Sequence, residues 1–107
     1  MTALPPSAAR DLAVRLLCGH GFVMRAGNER GDTLYLARAG EAWLVRVSNH
    51  ARTALQRARR RDILTSLVIR EPRTPAQVET LVAAAMRDFD AERRRRADQP
   101  SAEPSRK

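Results

Sequence analysis

Apolar residues recur at three- and four-residue spacing near both ends of the chain, and at two-residue spacing between. Near the start, Ala9, Leu12, Ala13, Leu16 and Leu17 share one stripe while Arg10 and Arg15 lie off it, which predicts an amphipathic helix. Ser7 stands where a hydroxyl can cap the first turn. Gly19 stands where a left-handed cap ends a helix without a Cβ clash. Near the end, Val78, Leu81, Val82, Ala85, Met86 and Phe89 form a second stripe. Thr74, Pro75 and Gln77 mark its start as a capping box with proline at the first helical position.

The middle alternates. Residues 22–25 read as a short strand, and the Gly27-Asn28 and Gly31-Asp32 pairs that follow carry turn chemistry. Over residues 33–38, Leu34 and Leu36 face one way and Thr33, Tyr35 and Ala37 the other. Ala39-Gly40-Glu41 is a hairpin connection. The next strand puts Trp43, Val45 and Val47 toward the core, and Ala42, Leu44 and Arg46 opposite. Residues 51–62 are either a helical turn or two, or a long ordered loop. Residues 63–69 fit a helical stripe as well as a strand; Thr65, Val68 and Ile69, with Pro72 close behind, decide for a fourth strand. Ile63, Leu67 and Ile69 would then lie on one face and Leu64 and Val68 on the other.

The order α-β-β-β-β-α predicts an α+β fold: a single two-layer domain over 7–97, with an antiparallel sheet of three or four strands and two helices on one face. Residues 1–6 are expected to form a flexible arm. Residues 98–107 hold no apolar side chain larger than alanine and two prolines, and are expected to be a disordered tail.

Composition narrows the classes. A chain of 107 residues is one domain, and its single Cys18 excludes an internal disulfide. There is no basic, then apolar, leader at the N-terminus and no run of the ~20 apolar residues a membrane span needs. A cytoplasmic protein without a membrane partner is expected. Net charge is +8, and Lys107 is the only lysine. Arginine forks match phosphate oxygens in pairs, so the balance points to a polyanion. Arg52, Arg57, Arg59, Arg60 and Arg61 form a block with no acid until Asp62, which is the footprint of phosphate binding or a solvated charged loop. Tyr35 and Trp43 could stack on bases if they face outward. The later block at 93–96 follows Asp88, Asp90 and Glu92 and reads as a solvated helix end with internal pairs.

His50 closes the sequence Val45-Arg46-Val47-Ser48-Asn49-His50. It is a candidate general acid or base, or a surface imidazole bonded to the turn that Ser48 and Asn49 build. No carboxylate nearby in the sequence is an obvious orienting partner. Cys18, His20 and His50 are soft ligands without paired spacing, so neither metal nor cofactor is expected. Cys18 sits at a helix C-terminus, where the dipole disfavours a thiolate nucleophile. No phosphate-binding glycine loop or nucleophile elbow is present.

Over its first half the chain resembles the HicA-type toxins, small RNases with a double-stranded-RNA-binding-like fold. Gly21-Phe22 matches their Gly-Phe, 31–36 falls where Gly-Ser-His opens a strand, and 45–50 resembles the next strand and its His. The resemblance puts Thr33 where those toxins carry their catalytic His. It therefore implies a relative without the RNase step, or one that uses His50 for it. The segment 45–50 also resembles short uncharacterised proteins of phages and mobile elements.

Three functions are therefore expected in competition. The first is a non-catalytic module binding RNA or DNA through Arg52, Arg57, Arg59, Arg60 and Arg61. The second is a HicA-like RNase. The third is an adaptor or inhibitor that binds a protein or a second copy of itself through an open apolar face on the fourth strand.

Overall fold

The structure is a computed structural model and describes residues 2–97. The tail expected over 98–107 lies outside the described residues. The elements run α1 (Pro6–Gly19), β1 (Phe22–Gly27), β2 (Thr33–Arg38), β3 (Leu44–Ser48), α2 (Ala54–Arg59), β4 (Ile63–Val68) and α3 (Pro75–Ala97). The fold is α+β, with α1 and α3 on one face of a four-stranded sheet.

Local chemistry explains most boundaries. α1 begins one residue before Ser7, which therefore does not cap it. Pro6 occupies the first turn, where its missing N–H costs nothing, and no side chain caps the helix. The left-handed residue after α1 is Gly21, at φ 93°, rather than Gly19. Ahead of α1, Leu4 exchanges two backbone hydrogen bonds with Arg73, at 2.7 and 3.0 Å, and so ties down the expected arm. α3 starts as read: the Gln77 N–H donates to Thr74 Oγ1 at 3.2 Å, and the Thr74 N–H donates to Gln77 Oε1 at 2.8 Å. α2 resolves the alternatives for 51–62 as a short helix. It opens on a second capping box, Thr53 with Gln56, at 2.9 and 3.1 Å.

The sheet order is β1-β2-β3-β4. β1–β2 and β2–β3 are antiparallel, but β3 and β4 run parallel, so the sheet is mixed and the expectation of a purely antiparallel one is corrected. The reason is the connection. Parallel neighbours need a crossover of a dozen or more residues, and 49–62 with α2 inside it is such a crossover.

The core lies between the sheet and α1 plus α3. Ala9, Ala13 and Leu17 meet Val78, Val82 and Phe89 over Leu36, Val45, Val47 and Leu67. Phe22 and Phe89 meet edge to face at 5.3 Å, and the Arg38 guanidinium lies over both rings while pairing with Asp90 at 2.6 Å. Alternation sends Tyr35, Ala37, Leu44 and Arg46 to the opposite, outer face.

Two sequence expectations change here. The β3–β4 register slips between Leu44 and Val45, which sends Ile63 to the small outer cluster with Ala37 and Leu44 and lets Leu64 pack inward. No bare apolar face on β4 results: Ile63 and Leu67 are buried, as is Ile69 just beyond the strand, and Leu64 and Val68 are half-buried. Among the described residues, the exposed large hydrophobics are Val23, Met24 and Leu55. Trp43 precedes β3, is half-buried, and lies at the margin of the core under the Arg96 guanidinium, 5.3 Å from its ring centre.

Candidate functional site

A cavity of about 600 Å³ opens on the outer face, bounded by the β1–β2 loop, β2, the end of β3 and α2. It brings together His50, Arg52, Arg59 and Arg60 from the sequence reading. Arg57 and Arg61 are not among its lining residues. Arg57 Nη1 donates to the Arg52 carbonyl at 2.9 Å, and the Arg61 carbonyl accepts from Arg96. The cavity adds Asn28, Arg30, Asp32 and Arg46, which the sequence reading did not assign to a site, and includes Tyr35, read there as a possible stacking ring.

Hydrogen bonds fix the wall that carries His50. Thr33 and Ser48 are register partners on β2 and β3, both buried, and their hydroxyls meet at 2.7 Å. Ser48 Oγ also accepts the His50 N–H at 3.0 Å. Asn49 ties the turn to distant parts of the fold. Its Nδ2 donates to the carbonyls of Pro6 (3.1 Å) and Ile69 (2.7 Å), and its Oδ1 accepts from Arg10 at 3.0 Å. The turn is thus more than local backbone bonding; it is pinned to α1 and to the end of β4.

The register that pairs Thr33 with Ser48 also brings Asp32 beside His50. Asp32 Oδ2 lies 2.8 Å from His50 Nε2, across 18 positions of sequence. The carboxylate that His50 lacked in its own neighbourhood comes from the loop just ahead of β2. Asn28 donates to Asp32 Oδ1 at 2.5 Å and accepts the Thr33 N–H at 3.1 Å. The Asn28 bond, then the His50 bond and the charges of His50 and Arg30, hold the Asp32 carboxyl below the ordinary value of 3.8. A carboxylate only accepts, so Nε2 of His50 carries the hydrogen of this bond. Thr33, which the sequence resemblance sets against the toxins' His, is buried and bonded to Ser48.

The arginines divide into paired and unpaired. Arg60 bonds both oxygens of Asp62, at 3.1 and 3.2 Å, and stacks on Tyr35 at 5.2 Å. Arg46 is 5% exposed, and its Nη2 donates to the His50 carbonyl at 2.8 Å. Its Nη1 has no partner among the described residues, nor do Nε and Nη1 of Arg52, and all three atoms are buried. Burial is the largest cause that holds Arg52 below the usual arginine range; the neighbouring charges of Arg46 and Arg57 add to it. Buried donors without acceptors are uncommon in folded proteins and call for a ligand, ion or water. A cavity with this lining can take an anion. Among the described residues, no three His, Cys, Asp or Glu side chains gather as a metal site, and Cys18 is exposed at the end of α1.

Compared with protein-family models, curated proteins and solved structures, the chain gives no match. Among the described residues no helix is long and apolar enough to cross a membrane.

Sequence signals for part of this site existed. Thr53-x-x-Gln56 repeats the Thr74-x-x-Gln77 capping pattern and would have placed α2. Arg46, outward on a strand between two valines, is a charge on a face a crossover can cover. Asp32 gives no signal until the β2–β3 register is known.

Proposed function

We propose that the protein is a small basic nucleic-acid-binding module that contacts backbone phosphates through its outer-face cavity. One observation carries this reading: Arg46, Arg52, Arg59 and Arg60 converge on one cavity, and among the described residues Arg46 and Arg52 have no carboxylate partner there. Phosphate is the anion that planar, forked donors match best, and nucleic acid offers it in a row. The +8 charge draws such a polymer from a distance.

A second reading, RNA cleavage in the manner the HicA resemblance implies, is favoured by the His50–Asp32 pair on the same wall. An imidazole oriented by a carboxylate can take a proton at Nδ1 while arginines hold the phosphate.

One experiment separates the two. Fluorescence anisotropy is measured on duplex RNA, duplex DNA and single strands across a salt series, and the RNA is recovered and run on a gel. With Arg46, Arg52, Arg59 and Arg60 on phosphates, log K falls against log salt with a slope of about −3 to −4. Intact RNA supports the binding module. Cleavage that His50→Ala abolishes supports the second reading. Absence of binding at low salt overturns both.

A further inference from the structure

We propose that Arg46 and Arg52 form a seat for a single phosphate group at the floor of the outer-face cavity. The source of that phosphate, a nucleic-acid strand, rests on the function proposed above; the seat itself rests on its own geometry.

Arg46 is almost wholly buried, yet one terminal nitrogen of its guanidinium has no acceptor. Arg52 lies close enough for its charge balance to feel Arg46, and two of its three nitrogens are also unpaired. The acids around the cavity are engaged elsewhere. Asp32 is held by Asn28, His50 and Arg30, and Asp62 is held by Arg60. Two cations therefore line one cavity with three buried donor atoms unpaired and, among the described residues, no carboxylate bonded to either. A fold does not gain by such an arrangement, because each unpaired buried donor costs stability and like charges repel. An oxyanion with several acceptor oxygens satisfies the donors and the charge at once.

The shape agrees. A cavity of about 600 Å³ has room for far more than one phosphate, so the group can arrive with a nucleoside attached. Both arginines line the cavity. Arg52 is only partly covered, which leaves its side chain accessible to an entering oxygen. The Gln56 side chain, which also lines the cavity, is spent on capping α2 and leaves the guanidiniums without a competing acceptor.

The test follows the Nε–Hε signals of Arg46 and Arg52 by NMR at constant ionic strength. The full chain is titrated in turn with inorganic phosphate, with a nucleoside monophosphate, and with an oligonucleotide lacking terminal phosphates. Both signals are expected to move with phosphate and not with matched chloride. Arg52→Met is expected to weaken phosphate binding on the order of 10- to 100-fold. Arg46→Met is expected to lose the rise in Tm that phosphate gives, without a lower Tm in chloride, since an apolar side chain of similar length removes a buried charge. If Arg46→Met does not fold, Arg52→Met, at a partly exposed position, still decides. Movement with all three ligands supports the seat and a strand as its source. Movement with phosphate and nucleotide alone supports the seat and overturns the strand. Oligonucleotide binding that leaves both arginine signals in place, and that Arg52→Met does not weaken, overturns the seat while nucleic-acid binding stands. No binding by any of the three overturns both.

Discussion

α2 and α3 begin with the same device and end as different objects. Each opens on Thr-x-x-Gln, with the hydroxyl and the amide side chain exchanging bonds with backbone N–H groups. α3 then runs for 23 residues and buries Val78, Val82, Ala85 and Phe89; α2 runs for 6 residues and buries none. A cap removes orphan donors and sets where a helix starts, but an isolated helix shorter than ~12 residues is marginal in water. What holds a helix in a protein is the apolar face it buries. α3 has such a face against the core. α2 is held by its cap and by the two strands its ends join, and it carries Arg59 and Gln56 on the cavity. The firm helix builds the domain, and the weakly held one borders the candidate site.

The sharpest way to test this contrast is to empty the buried face. Phe89→Ala removes a fully buried ring that meets Phe22 edge to face. It is expected to lower the unfolding free energy by about 3–5 kcal/mol in urea denaturation. Leu55 on α2 is 60% exposed, and its replacement by alanine is the matched control with a change near zero.

A smaller effect separates the caps. Thr74→Ala is expected to cost about 1 kcal/mol of global stability. Thr53→Ala, at the same position of the other box, is expected to cost less than about 0.5 kcal/mol, while amide exchange at Gln56 and Arg57 accelerates. Equal losses at the two caps in urea would show that α2 is coupled to the core after all, and the contrast would fail.

The smallest effect is electrostatic. Arg38, through its hydrogen bond, is the chief cause holding the Asp90 carboxyl on α3 below 3.8. Arg60 does the same for Asp62, three residues past α2. A carboxyl lowered in the folded state contributes stability above its unfolded value, and that contribution is lost as pH falls through the folded value. Stability is thus expected to fall as pH drops below about 4, and urea midpoints measured on the way down read it. Asp90→Asn is expected to flatten the fall more than Asp62→Asn, because Asp90 joins α3 to β2 whereas Asp62 bonds Arg60 only two residues away.

Much of the fold was legible in the sequence because it rests on periodicity. The stripes of α1 and α3, the alternation of β2 and β3, and the helix start at Thr74 all follow from local rules. The mixed sheet was not legible. Strand direction across 49–62 depends on whether that segment turns or crosses over, and the capping box that would have settled it was hidden in a run of arginines. The site was legible by charge but not by geometry. Arg52, Arg59 and Arg60 are in the cavity, whereas Arg57 and Arg61 spend their groups on neighbouring backbone or lie away from it. Asp32 and Arg46 belong to the site only because of a register that no local pattern announces.

The parallel pairing of β3 with β4 carries a consequence for how the chain folds. β1, β2 and β3 are joined in sequence by short connections, so their contacts close early and at little entropic cost. β4 can pair only after the crossover has looped back, and long-range parallel pairing is slow to nucleate. Ile63 on β4 and the arginines of the crossover bound the cavity. The cavity is therefore expected to form only once the crossover is in place, and a nascent chain stalled at the three-strand meander lacks both the crossover arginines and the place to hold an anion.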